Sequence, residues 1–227
     1  MDVDVKGTIV SDDEALFYQW YGVTHTSPRQ INNAIKQAKS RNETLDVYIN
    51  SGGGDIFAGS EIYQALKSYS NTKIHVVGLA ASAASVIAQA GISDIAETAM
   101  FMIHNVSSYA YGDYNDMQHS ADVLEKANNA IAQSYISKTG LSEKEILSLM
   151  NKETWLTAKE AVEQKFIDKI ANNQAAKLVA SNNCYFLNAE MIEKAKTLMV
   201  DNKNQLLNKN QEQMKMEIEL LKLKGRI

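Results

Sequence analysis

Cysteine occurs once in the 227 residues (Cys184), and so does proline (Pro28). A single cysteine excludes an internal disulfide framework and any zinc site built on paired cysteine ligands. Reducing cytoplasm is the compartment this composition predicts. Histidine is nearly as scarce, at four, so any imidazole chemistry has a short list of candidates. An excess of one charge is missing too. The 23 Lys and Arg against 27 Asp and Glu leave a net −4, and no bulk attraction to nucleic acid or acidic lipid follows. The chain opens on an acidic, strand-like segment, MDVDVKGTIVSDDE, without the basic start and apolar stretch of a leader. Its most apolar run, Val76 to Gly91, falls short of the ~20 residues of a membrane span. That run also carries Ser82, Ser85 and Gln89.

What is present is an alternation of strands and helices. Val3 to Val10, Leu45 to Asn50, Lys73 to Gly78 and Met100 to His104 read as strands. Ile31 to Ala38, Ile56 to Tyr69 and Ala83 to Ala90 read as helices, and Ser11-Asp12-Asp13 as a turn or helix cap. Successive strand–glycine turn–helix units predict a largely parallel α/β core buried on both faces. A long helix is expected over Asp116 to Lys138, and capping boxes at Ser142/Glu145 and Thr157/Glu160 start two more. Residues 201–227 differ in composition, with six Lys or Arg against four Asp or Glu. Leu207, Met214, Ile218 and Leu221 there form a short heptad-like seam containing Gln211, either a solvated terminal helix or a partner-binding one.

Three places carry potential chemistry. Asn50-Ser-Gly-Gly-Gly-Asp55 lies between a strand and a helix, where glycines turn the backbone tightly and present bare N–H groups. A Walker lysine and the dinucleotide spacing are both absent, which leaves an oxyanion hole or a plain tight turn. Gly78-Leu-Ala-Ala-Ser-Ala-Ala-Ser85 puts a serine at a helix start, although Ala/Ser runs also serve close helix packing. Met102-Ile-His104-Asn105 ends a strand on a histidine, which alone reads as readily as a core or rim residue. In order, with a carboxylate before the Thr157-capped helix, these pieces supply oxyanion donors, nucleophile, general base and orienting acid.

At this point the sequence resembles the ClpP-like serine peptidases. INSGGGDIFAG is similar to their glycine loop, GLAASAAS to their nucleophile segment, MIHN to their histidine strand, and KETWLTAKEAVEQKFIDKI to their acid-bearing segment. Four motifs stand in the right order between about Val3 and Ile170. The resemblance implies an α/β ClpP/crotonase-like fold of repeated strand–strand–helix turns, with a projecting handle helix and a C-terminal helical tail. The protease domain is expected over residues 1–185, its handle (a strand plus a long helix) at about 107–140, and the tail over 186–227.

Carried over by position, the resemblance makes Ser82 the nucleophile, His104 the general base and Glu153 the acid, where the main family has Asp. Gly54 and Ala83 become backbone oxyanion donors. Substrate would add as a strand beside Gly53 and Gly54 and the residues after His104, Asn105 and Val106. Tyr109, Tyr111 and Tyr114 would line that groove or make contacts between subunits. No metal and no cofactor are implied. The expected partners are a protein or peptide substrate and further copies of the chain in a ring, or two stacked rings.

The short start, the Gly-Gly-Gly-Asp-Ile-Phe-Ala-Gly loop and the Glu-Thr-Trp variant resemble the phage-encoded head maturation branch. That branch implies ATP-independent processing of capsid or scaffold protein in the host cytoplasm or within proheads. The absence of the segment that forms axial loops in housekeeping relatives argues against an ATPase partner. The alternatives are the proteolytic core of an ATP-dependent Clp machine, an assembly protein with a weakened site, and an acyl-CoA enzyme of the crotonase type. The last has no need of a Ser82–His104 pair.

Overall fold

A computed structural model of the chain describes residues 1–171. The expectations placed on Cys184 and on the tail lie outside the described residues. The order is β1 (Asp2–Ile9), α1 (Asp12–Trp20), β2 (His25–Thr26), α2 (Pro28–Arg41), β3 (Leu45–Gly54) and α3 (Ile56–Lys67). Then come β4 (Thr72–Ala81), α4 (Ala83–Ile87), β5 (Ile92–Ile95) and β6 (Met100–Ile103). The series closes with α5 (Tyr114–Thr139), α6 (Glu143–Asn151), β7 (Thr154–Thr157), α7 (Ala158–Glu163) and β8 (Lys169–Ile170).

Six strands lie side by side and parallel in the order β2-β1-β3-β4-β5-β8. Strand β4 changes neighbour along its length, pairing β5 through Lys73–Val76 and β6 through Leu79–Ala81. β6 in turn carries β7 antiparallel, from Met100↔Thr157 to Ile103↔Thr154. This branching brings the ends of β4 and β6 together, and with them the residues that follow each.

Local chemistry accounts for the helices. Ser27 caps α2 with Gln30 in a capping box, and Pro28 takes the first turn, where its missing N–H costs nothing. Asp55 caps α3 by accepting the Ala58 N–H at 2.6 Å. Ser142/Glu145 and Thr157/Glu160 form the expected boxes on α6 and α7. Gly140, at φ 75°, ends the 26-residue α5 in a left-handed cap. The core joins the inward faces of β1, β3 and β4 to α2, α3 and α4, and Tyr135 of α5 stands edge-on to Phe166, itself tilted on Phe101.

Three expectations are corrected and one alternative is decided. The central sheet is not buried on both faces: in β3, Leu45, Val47 and Ile49 are buried while Asp46, Tyr48 and Asn50 are only partly covered. LDVYIN alternates apolar and polar residues, which is the pattern of a sheet with one packed face. β3 does not stop at Asn50 but runs through the glycines, because β1 pairs with them at Thr8↔Gly53 and Ile9↔Gly54. Of the two readings of Ser11-Asp12-Asp13, the helix cap is the one that forms: the Ser11 hydroxyl caps α1. The strand expected at the start of the handle does not form. Residues 104–111 join no ladder, and the Val106 N–H donates instead to Asn128 Oδ1 on α5 at 2.7 Å.

Candidate active site

Ser82 follows β4 directly and caps α4 with φ 54° and ψ −127°. A non-glycine residue holds such a conformation only where its surroundings over-determine it. Here the Ser82 N–H donates to Met102 O of β6 at 3.1 Å. Its carbonyl accepts the Ser85 and Val86 N–H groups at 2.9 and 3.3 Å and the Ser85 hydroxyl at 2.6 Å. The sharp turn lifts the side chain off the end of the sheet. His104, just past β6, meets it there, with Nε2 2.8 Å from Ser82 Oγ. With the imidazole proton on Nδ1, Nε2 accepts the serine proton, the geometry general base catalysis requires.

The glycine run backs against this turn. A Cβ on Gly53, at φ 101°, would sit 2.7 Å from Ser82 Cβ, and one on Gly54, at φ 152°, only 2.0 Å from Ile9 O. Both positions therefore demand glycine for space as well as for backbone angle. The Gly53 N–H is held by Ser51 Oγ at 3.0 Å, and that hydroxyl donates to Gly7 O at 2.6 Å. The Ala83 N–H is the first of α4, where no carbonyl of the helix can reach it.

Glu153 stands one step beyond the β6–β7 register, opposite His104, at φ 49°. Its side chain is exposed, and Oε1 accepts the Trp155 indole N–H at 3.2 Å. Among the described residues no hydrogen bond joins it to His104. Structure thus brings Ser82, His104, Gly53, Gly54 and Ala83 together and leaves the Glu153 carboxylate turned aside. Asn105 Nδ2 donates to Asn151 Oδ1 at 2.6 Å.

A cleft of about 300 Å³ opens beside Ser82 and His104. Ile56, Phe57, Val123, Leu124 and Ile131 give it apolar walls, and Tyr135 also lines it. Sequence reasoning passed over these residues, since α5 reaches the site only through tertiary packing. The helical spacing of Val123, Leu124, Ile131 and Tyr135 on α5 marked a packed face without marking a cleft. Tyr109, Tyr111 and Tyr114 do not line the cleft and are largely solvent-exposed. Among the described residues no group of three potential metal ligands gathers, and no helix is long and apolar enough to cross a membrane.

A strained serine at a strand–helix turn, a histidine on its hydroxyl and the first N–H of α4 beside it define a serine hydrolase of the acyl-transfer kind. The family described as Clp protease matches residues 24–174. The chain is 31% identical over 140 residues to an ATP-dependent Clp protease proteolytic subunit 2 of Tropheryma whipplei (strain Twist), which covers 60% of this chain and 78% of that protein. It is 30% identical over 145 residues to the subunit of the same description from Treponema denticola, across 62% of this chain and 72% of the relative. The fold is that of a solved ClpP1 point mutant from Listeria monocytogenes, with a TM-score of 0.63 at 21% identity over 76% of this chain and 92% of that one. The chain belongs to the Clp protease family, and it is a serine-type endopeptidase.

Proposed function

We propose that Ser82 is the nucleophile and His104 the general base of peptide-bond hydrolysis through an acyl-enzyme. The observation that carries this reading is the 2.8 Å contact between His104 Nε2 and the hydroxyl of a backbone-strained serine. Ser82 Oγ attacks the scissile carbonyl as its proton passes to Nε2, and the imidazolium then returns a proton to the departing amine. Water attacks the ester by the same route in reverse, with Nε2 again taking and returning the proton. The Gly54 and Ala83 N–H groups receive the oxyanion. Glu153 is the orienting acid, and to serve it must leave the Trp155 indole for the imidazole that its backbone faces.

The extended substrate lies beside Gly53 and Gly54 and the segment Asn105–Val106, with an apolar side chain in the cleft walled by Phe57, Val123, Leu124 and Ile131. The biological reading is ATP-independent processing of a phage capsid or scaffold protein in the host cytoplasm, resting on the resemblance of the loop and Glu-Thr-Trp motifs. Copies of the chain associate as rings that stack on one another through the handle, α5, whose first half exposes Tyr114, Met117 and Val123. A second reading, the proteolytic core of an ATP-dependent machine, is favoured by the descriptions of the curated relatives.

A serine-directed fluorophosphonate, followed by mass analysis of the intact particle, tests the chemistry and the stoichiometry together. One label per chain at Ser82, lost in Ser82→Ala along with peptide cleavage, is the expected result. An unlabelled wild-type protein overturns the assignment. Cleavage of a folded scaffold protein without nucleotide separates the first biological reading from the second.

A further inference from the structure

We infer that Tyr135 of α5 and Ser85 of α4 are positioning residues that hold the Ser82 backbone in its strained state, an inference that rests on the nucleophile assignment above. Ser85 is wholly buried, and its hydroxyl touches two groups: the Ser82 carbonyl at 2.6 Å and the Tyr135 hydroxyl at 2.8 Å. A serine has one O–H proton. The carbonyl accepts only, so that proton is committed to Ser82, and Tyr135 must be the donor to Ser85. Burial pushes the Tyr135 phenol well above its ordinary pKa, although the Ser85 contact works the other way. It therefore keeps its proton, and the direction of donation, throughout the working pH range.

The result is a one-way chain, Tyr135 O–H to Ser85 O–H to Ser82 C=O, ending on the residue whose φ is 54°. Each donation sharpens the next by polarisation, because both hydroxyl-bearing residues are buried in surroundings of low dielectric. The Gln89 side chain fixes the far side of Ser85 by donating to its carbonyl at 2.9 Å. Tyr135 stands at 1% exposure, its ring edge-on to Phe166 at 5.8 Å, so its hydroxyl has little freedom to leave. The same ring lines the cleft next to Ser82 and His104. The long helix is thereby coupled by hydrogen bonds to the backbone of the attacking residue, and the tyrosine both lines the cleft and braces the nucleophile's turn.

Tyr135→Phe keeps the ring and removes only the donor, while Ser85→Ala removes the middle of the chain. Peptide turnover, fluorophosphonate labelling rate and thermal unfolding are measured for both variants, the double variant and the wild type. Tyr135→Phe should lower kcat and the labelling rate about three- to tenfold, the loss of one buried hydrogen bond, with KM changed less than about twofold. The double variant should be no slower than Ser85→Ala alone, since the tyrosine acts only through the serine.

Wild-type kcat and labelling in folded Tyr135→Phe overturn the inference, as does a loss that falls on KM alone. Losses that multiply in the double variant also overturn it, because the two residues would then act separately. Should Ser85→Ala fail to fold, Tyr135→Phe decides alone by its kcat and labelling rate. Labelled wild type with an unaffected Tyr135→Phe sinks only the relay. An unlabelled wild type sinks the nucleophile assignment and the relay together.

Discussion

Gly53→Ala perturbs the nucleophile through a contact that glycine alone permits. The new Cβ would lie 2.7 Å from Ser82 Cβ, 2.8 Å from Ala81 O and 3.0 Å from Ala83 N. Carbon atoms rest about 3.5–4.0 Å apart, so the serine must retreat by about 1 Å. A misplacement of about 1 Å costs on the order of 10²-fold in rate when the reacting atoms must align. Holding alanine at φ 101° adds a folding cost of about 1–3 kcal/mol. Gly140→Ala is the matched control. It sits at φ 75° with nothing within 4 Å of an added Cβ, so it carries backbone strain without touching the site. Peptide hydrolysis, fluorophosphonate labelling and thermal unfolding are compared for the two variants. Gly53→Ala should lose about 10²-fold in kcat and label correspondingly slowly, whereas Gly140→Ala should lose only stability. Wild-type labelling of folded Gly53→Ala, or an equal slowing of Gly140→Ala, would refute the reasoning.

Two further predictions rest on particular side chains. Glu153→Gln should lower kcat at least about tenfold with KM little changed, because an amide cannot stabilise the imidazolium; an unchanged kcat would leave Ser82 and His104 working as a pair. His75 is held between Asp94 at 2.9 Å and Asp46 at 3.1 Å, and the Asp94 hydrogen bond, against the opposing pull of desolvation, raises its pKa. A raised folded pKa stabilises fully below the unfolded value of about 6.5, and the gain disappears as pH rises through the folded value. The melting temperature of the wild type should therefore exceed that of His75→Gln most at about pH 5.5, with the gap narrowing toward pH 9. A gap that widens with pH would contradict the assignment.

Residues with local signatures were the legible ones. Ser142/Glu145 and Thr157/Glu160 form their capping boxes because a cap needs only the first turn of its own helix. Ser82 and His104 were noticeable because each stands at the end of an element, and it was the resemblance of the motifs around them that gave them their roles. The coverage of one sheet face was misjudged, although Asp46 and Tyr48 already marked the other as polar. Phe57 and Leu124 carried no local sign of lining a cleft, since their shared wall exists only when α3 and α5 pack.

By itself the amino-acid sequence determined the parts: a serine at a helix start, a histidine at a strand end, and a glycine run between a strand and a helix. Those requirements are local, set by steric limits on the backbone and by the first turn of a helix. Tertiary structure alone decided how the parts stand to one another. The branching of β4 between β5 and β6 puts His104 on the Ser82 hydroxyl, and the packing of α5 sets Tyr135 against Ser85. Such contacts span tens of residues and depend on which strands pair and which faces bury, so no short stretch of sequence encodes them.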